Sequence, residues 1–333
     1  PPKPMDLVRL EDLVGVLVSL PPYEIDVLYR AGSLYGDEKR SWEAANAFKL
    51  VAERDPEGPL GERAFAEMLL VLVEPLQKYD RVETLGRDYL YSHVKGLGPR
   101  RVAHALTSSY QKQKHWEDIK KLRPVIEKFV PSDDVAVRQY ECELVYMQAV
   151  ASLMLFEYKD SLAGFSNVLQ DFPGSHEQEN ATYWHAISQV FLKNYDDALV
   201  EFDAYREIYP TGAWLPETAF HRGICLFSTQ KPDEAQAQFT EVIKTWPDAS
   251  VYPDACSLRG DIYASKGLLN EAQQDYEEAI ETARNVKQDT YAVFQMVSMF
   301  ELEERYSEML TAAEAYLDRR GEEADVARAA YWI

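Results

Sequence analysis

His221 and Cys225 lie four residues apart, a spacing that sets two soft side chains on one helix face and gives this sequence its nearest approach to half a metal site. His185 and Cys256 lie in flanking segments at roughly related heights, yet no third or fourth ligand follows, and a structural role is the expected one for all four. Paired carboxylates at Glu277-Glu278 and from Glu301 to Glu304 have helix-surface spacing, whereas paired catalytic acids need burial that shifts one pKa. Asn180-Ala-Thr182 has the form of a glycosylation acceptor but falls at the start of a helical pattern. A phosphate loop, GxGxxG, GxSxG and HExxH are all missing. The expectation is no catalytic residue, no metal and no cofactor.

Whatever these residues do, helices must position them. The 333 residues are 46% hydrophobic and 27% charged, enough apolar material to bury a core. No apolar run approaches the roughly 18 residues of a membrane span, and Pro1-Pro-Lys-Pro-Met5 lacks a signal peptide's charged and apolar regions, so no membrane insertion is expected. A net charge of -21 argues against nucleic acid, whose binding draws on clustered Lys and Arg. One stretch is locally basic, from Arg100 and Arg101 through Lys112 and Lys114 to Lys120, Lys121, Arg123 and Lys128. It reads as a solvated or internally matched face, or as a patch for an acidic partner, with Arg100, Arg101, Lys112 and Lys114 as its candidates. Cys142, Cys225 and Cys256 are too few and too far apart for a disulfide framework.

The chain repeats. Aligning on the alanine of Tyr195-Asp-Asp-Ala198 gives anchors at Ala44, Val82, Ile119, Ser161, Ala198, Ala235, Ala272 and Met309, separated by 38, 37, 42, 37, 37, 37 and 37 residues. Four residues on, one helical turn away, stand Phe48, Phe165, Phe202, Phe239 and Tyr276. Twelve residues on, Pro56, Pro131, Pro173, Pro210 and Pro247 mark where a helix stops. Twelve residues before the anchor, Gly32, Thr107, Ala149, Ala186, Gly223 and Gly260 let two antiparallel helices close. The pattern predicts an all-α chain of about eight helix-turn-helix units.

Small residue at position 8, aromatic at 11 (Tyr35, Tyr110, Tyr263), alanine at 20, aromatic at 24 and proline at 32 resembles the tetratricopeptide repeat, here with a period of 37 and the extra residues in turns such as Gly174 to Gln178. The resemblance covers nearly the whole chain and implies an α-α superhelix. Phe172-Pro173, Tyr209-Pro210, Trp246-Pro247 and Tyr183-Trp184 are further similar to repeats of bacterial cell-envelope members, the outer-membrane assembly lipoproteins and periplasmic cell-division coordinators. That implies a periplasmic or envelope setting in preference to cytoplasm.

The resemblance also implies that the first helix of each repeat lines a concave face, with positions 2, 5, 9, 12 and 13 toward a bound peptide. These positions hold Tyr146, Val150, Leu153 and Met154 in repeat four, Tyr183, Ile187, Val190 and Phe191 in repeat five, and Phe220, Ile224 and Phe227 in repeat six. Repeat three contributes Arg101, His104, Ser108, Gln111 and Lys112, and repeat seven Asp254, Ser257, Asp261 and Ser265, giving an apolar middle with one basic and one acidic end. Polar residues at position 7 (Gln148, His185, Arg222, Arg259) fit the alternative that the apolar wall packs against neighbouring helices.

Repeats two and three depart from the pattern, with Val82, Gly86 and no closing proline in one and Arg123 for an aromatic in the other, so their helices are expected to pack differently. The longer step before repeat four predicts a long helix from a cap at Ser132-Asp-Asp134 to about Tyr158. The expected organisation is a remnant second helix in residues 1–22 (Met5 to Leu20, then Pro21-Pro22), repeats one to three in 23–131, repeats four to eight in 132–325, and the start of a ninth in 326–333, where Tyr331-Trp332 match Tyr183-Trp184. Such ends predict an excerpt of a longer array. A non-catalytic scaffold holding a peptide or a partner domain is the expected function, against self-association or the substrate-selecting region of an enzyme whose catalytic domain lies elsewhere.

Overall fold

A computed structural model describes residues 24–130 and 132–321, all of it helices and turns. The expected helix at Met5 to Leu20, Pro131 and the ninth-repeat residues Tyr331-Trp332 lie outside the described residues. The chain divides into two units within one helix, between Ala181 and Thr182. In the first unit, α1 (Glu24–Asp37) is followed by α2 (Ser41–Arg54), α3 (Pro59–Val73) by α4 (Tyr79–Ser92), α5 (Gly98–Gln113) by the broken pair α6 (Trp116–Lys121) and α7 (Arg123–Ile126), and α8 (Val135–Met154) by α9 (Tyr158–Asp171). The division falls in α10 (Gln178–Phe191), which is followed by α11 (Tyr195–Ile208). In the second unit come α12 (Leu215–Ser228) and α13 (Pro232–Thr245), α14 (Tyr252–Ser265) and α15 (Leu269–Thr282), then α16 (Val286–Leu302) and α17 (Tyr306–Arg320).

The register is visible in the backbone. Five residues before each anchor stands a residue with positive φ: Lys39, Gln77, Lys114, Phe156, Lys193, Gln230, Gly267 and Glu304. In seven of these turns the next amide bonds the carbonyl five residues back, as Asn194 N does to Gln189 O at 2.9 Å, the left-handed close that satisfies the last carbonyls of a helix. Repeat two differs, its Lys78 amide reaching six residues back to Leu72 O. Second helices end two residues before Pro56, Pro173, Pro210 and Pro247, as the missing amide hydrogen demands.

Within a repeat the helices meet large on small. A Cβ at Gly32 would lie 2.8 Å from the Phe48 ring, one at Gly223 2.5 Å from Phe239 and one at Gly260 2.8 Å from Tyr276, so these rings lie directly on backbone. All eight anchors are buried. Repeat two reverses the arrangement: Leu70 occupies the small position, and Gly86 packs on Leu106 of α5, where a Cβ would lie 2.8 Å from Leu106 Cγ. Accordingly α4 packs more closely on α5 than on α3. In repeat three Pro124 interrupts the second helix, and Arg123 turns outward to Glu127 at 2.9 Å.

Asp134 caps α8 as expected, its Oδ1 accepting from Ala136 N at 2.8 Å and Val137 N at 3.2 Å. The helix does not reach Tyr158, however. It stops at Met154, because Leu155 and left-handed Phe156 make the same turn as the other repeats, and Tyr158 opens α9. The added residues lengthen α8 at its start.

Candidate functional site

The apolar wall is mostly interior. In the first unit Leu153 is buried and Tyr146 half-buried, its ring 5.7 Å from Phe165. In the second unit Tyr183 stacks on Trp214 at 4.5 Å, and Tyr183 and Ile187 share a core with residues of α11 and α12. Phe220 packs with Phe239 and with Ala255 of α14. Leu153, Tyr183, Ile187 and Phe220 therefore do not face an open groove: Tyr183, Ile187 and Phe220, at positions 5 and 9, are covered by the second helix and by the first helix of the next repeat. Ile224 is half-buried, while Phe191 and Phe227 are 50% and 46% exposed. In repeats five and six the exposed apolar rings of the first helices stand at late positions.

In repeats five to seven the polar position 7 engages the second helix of its own repeat. Its partner is three residues past the anchor: His185 Nδ1 to Glu201 at 2.7 Å, Arg222 to Gln238 at 2.8 Å, and Arg259 to Asp275 at 2.6 Å. Gln148 instead donates to Ile119 O at 2.5 Å.

The basic segment is tied to its own fold. Arg100, expected on the surface, is fully buried, donating to Gly96 O at 2.8 Å, Val130 O at 2.7 Å and Glu141 at 2.9 Å over the Phe129 ring. An acidic partner cannot reach it. Arg101 is half-buried over Tyr140, Lys112 pairs with Glu74 at 2.7 Å, Lys120 with Glu157, and Lys121 with Asp118 at 2.9 Å. Lys114 is exposed at the left-handed close of α5.

His221 and Cys225 share the second unit's core rather than a ligand set. His221 Nδ1 donates to Glu217 O at 2.8 Å, and burial lowers its pKa from 6.5 to about 4. Burial pushes the Cys225 and Cys256 thiols up to about 12, leaving them protonated. No group of three His, Cys, Asp or Glu suited to a metal occurs among the described residues. Asp261, from the acidic end, accepts from Tyr276 and Tyr291 hydroxyls at 2.8 and 2.5 Å and from Gln295 at 3.0 Å, and burial raises its pKa.

A different surface is open. In the first unit, the displacement of α4 toward α5 leaves a cleft of about 860 Å³ between the second helices α2 and α4, with α3 as its floor. Gly61, Phe65, Met68 and Leu72 run along the floor at helical spacing, with Phe65 half-buried and the other three buried; buried Ala45 and half-buried Ala52 lie on one wall, exposed Thr84 and Leu85 on the other. At one end Tyr89 lies between two rings, 4.9 Å from Phe65 and 4.1 Å from His93, and its buried hydroxyl has no hydrogen-bond partner among the described residues. Nearby, burial raises the Glu62 carboxyl pKa, and Glu57 approaches His93 at 3.8 Å. At the other end Trp42 lies under the Lys78 ammonium at 5.9 Å, beside Asp80 and Arg81. Expectations placed on first helices missed this surface. Its sequence signals were Leu70 where six of the other repeats have Gly, Ala or Thr, and Gly86 where five of the others are aromatic.

Models of the tetratricopeptide repeat match residues 217–249 and 253–286, the sixth and seventh units of the register. No curated protein matches the chain in sequence. Among solved structures it is similar to a tetratricopeptide repeat protein from Parabacteroides merdae, at 17% identity and TM-score 0.53 over 80% of this chain and 98% of that one. It is also similar to the quorum sensor NprR from B. thuringiensis, at 14% and 0.58 over 81% and 79%, and to Cut9–Hcn1, an APC/C hetero-tetramer, at 12% and 0.52 over 95% and 57%. Two of its units are thus tetratricopeptide repeats by sequence, and the chain has the all-α, helix-pair fold of tetratricopeptide repeat proteins.

Proposed function

We propose that this chain is a non-catalytic interaction scaffold that receives a segment of a partner protein in the cleft between α2 and α4. The observation that carries the reading is a concave, largely apolar cleft with exposed Trp42 and Leu85 on its walls and half-buried Phe65 at its base, the usual form of a site that binds by shape and burial. Stacked helical repeats suit such a role, since they present long surfaces without a catalytic constellation. The similar structures include a quorum sensor and a hetero-tetramer, in keeping with recognition and assembly. The aromatic-proline closings and Tyr183-Trp184 favour the bacterial envelope as the setting, which fractionation of the producing cells would test.

A photo-crosslinking residue at Leu85, inside the cleft, should yield a discrete adduct with a second protein in cells, while the same residue at exposed Val200 should not. Identical adducts from both sites, or none from Leu85, would contradict the proposal. Self-association is the second reading, favoured by the exposed rings of Phe191 and Phe227. It requires a sedimentation coefficient that rises with concentration and stops rising in Phe227→Ser.

A further inference from the structure

We infer that the occupant of the α2–α4 cleft is an amphipathic α-helix of about three turns, with acidic residues in its first turn and basic residues in its last, lying parallel to α2. The inference rests on reading the cleft as a docking site and specifies what docks there.

Length comes first. The floor runs along α3 from Gly61 to Leu72, which at 1.5 Å per residue is roughly 17 Å, or about three turns of helix and only about five residues of extended chain. Backbone chemistry then decides between the two. The cleft is built from three helices whose own main-chain groups bond internally, so it offers an incoming strand no backbone edge. The floor is apolar, and the walls supply few uncharged polar side chains, chiefly Asn46 and Thr84. An extended peptide would leave most of its amides and carbonyls buried without partners, whereas a helix brings its hydrogen bonds with it. Ala45 and Ala52 lack bulk and allow a second helix axis to come close.

Charge fixes the direction. Near Trp42 the rim carries Lys78 and Arg81 against Asp80; near Pro56 it carries Glu53 and Glu57 against Lys49, which Glu53 already engages at 3.3 Å. A helix entering with its amino end at Trp42 sets first-turn acids against Lys78 and Arg81 and last-turn bases against Glu53 and Glu57. Those charges are also the ones its own dipole favours at each end. The reversed orientation sets like charges together at both ends.

The test uses the full chain and three fluorescein-labelled peptides of about fifteen residues, long enough to span the cleft. The first has a leucine stripe at helical spacing with Glu in its first turn and Lys in its last; the second exchanges Glu and Lys; the third has the first sequence interrupted by a central proline. Fluorescence anisotropy at low salt should show the first bound about tenfold more tightly than the second, and the third not bound. Thr84→Trp, which fills the cleft from an exposed wall position, should abolish binding with the circular dichroism unchanged, and Arg81→Glu should shrink or invert the preference between the charge-exchanged peptides. Equal binding of the first two peptides would overturn the charge and orientation assignment. Tight binding of the proline peptide, lost in Thr84→Trp, would overturn the helix and leave the docking site standing. Binding of all three unaffected by Thr84→Trp would overturn the site itself. A cysteine at position 85 that crosslinks to residues 1–22 of the same chain, or to a second copy, would replace the proposed occupant with that one.

Discussion

Adding one methyl group at two glycines should move stability in opposite directions. At Gly36, near the end of α1, an added Cβ meets nothing within 4 Å, so Gly36→Ala should stabilise by about 0.5 kcal/mol through the lost freedom of the unfolded glycine alone. At Gly223 the same atom would lie 2.5 Å from Phe239 Cε1 and 2.8 Å from Cζ, inside any normal contact. The Phe239 ring is itself buried, so it cannot swing into water and α12 must separate from α13. Overpacking of this kind costs about 1–3 kcal/mol, against roughly 1 kcal/mol gained from alanine's helix propensity. The net expectation for Gly223→Ala is a loss of up to about 2 kcal/mol. Urea unfolding followed by circular dichroism measures both variants. In a Phe239→Leu background, where the ring is gone, Gly223→Ala should cost less than half as much, because the clash is specific to that pair. Stabilisation by Gly223→Ala, or an unchanged cost in the Phe239→Leu background, would refute the large-on-small packing from which the repeat register is argued.

Asp289 is fully buried and takes Arg319 at 2.7 Å together with Arg320. Asp289→Ala leaves the partly buried Arg320 guanidinium without this partner and opens a buried site, and should cost about 2–3 kcal/mol in the same assay, with faster hydrogen exchange in α16 and α17. His221 titrates at about 4 in the folded chain and 6.5 unfolded, so as pH falls the unfolded chain takes up the proton first. Its contribution to stability is complete above pH 6.5 and lost as pH falls toward 4, and this part of the acid slope should vanish in His221→Gln if the urea midpoint is followed against pH. Cys225 and Cys256, held protonated by burial, should resist a thiol-specific reagent at mildly alkaline pH and react only at the rate of unfolding; fast labelling of either would contradict their burial.

The sequence was most legible where one residue meets one residue. Ala198, Phe202 and Pro210 each do a job that tolerates few side chains: close approach, filling the space that approach leaves, and ending a helix. Repeating them at 37 residues therefore repeats the structure. Positions 5 and 9 were ambiguous because apolar periodicity reports that a face is covered without saying by what. Tyr183 and Ile187 proved to be covered by the next repeat, where a bound peptide was the other reading. Arg100 misled for a related reason: a run of basic residues looks solvated until the carbonyls of Gly96 and Val130, far apart in sequence, converge on one member of it. The cleft arises from departures. Leu70 and Gly86 exchange the large and small partners of repeat two, Lys78 closes its turn one residue wider, and α4 settles on α5. That an irregular repeat packs differently could be read from its residues, but which neighbour would take the displaced helix depended on Leu106 in the following one.

Occupation of the α2–α4 cleft by a partner is the central claim. Hydrogen exchange of the full chain, alone and with the protein captured from Leu85, addresses this directly. Protection is expected along α2, along the floor of α3 and along α4, with α10 and α12 unchanged. Protection confined to α10 and α12 around Phe191 and Phe227, with the cleft helices exchanging as before, would contradict it.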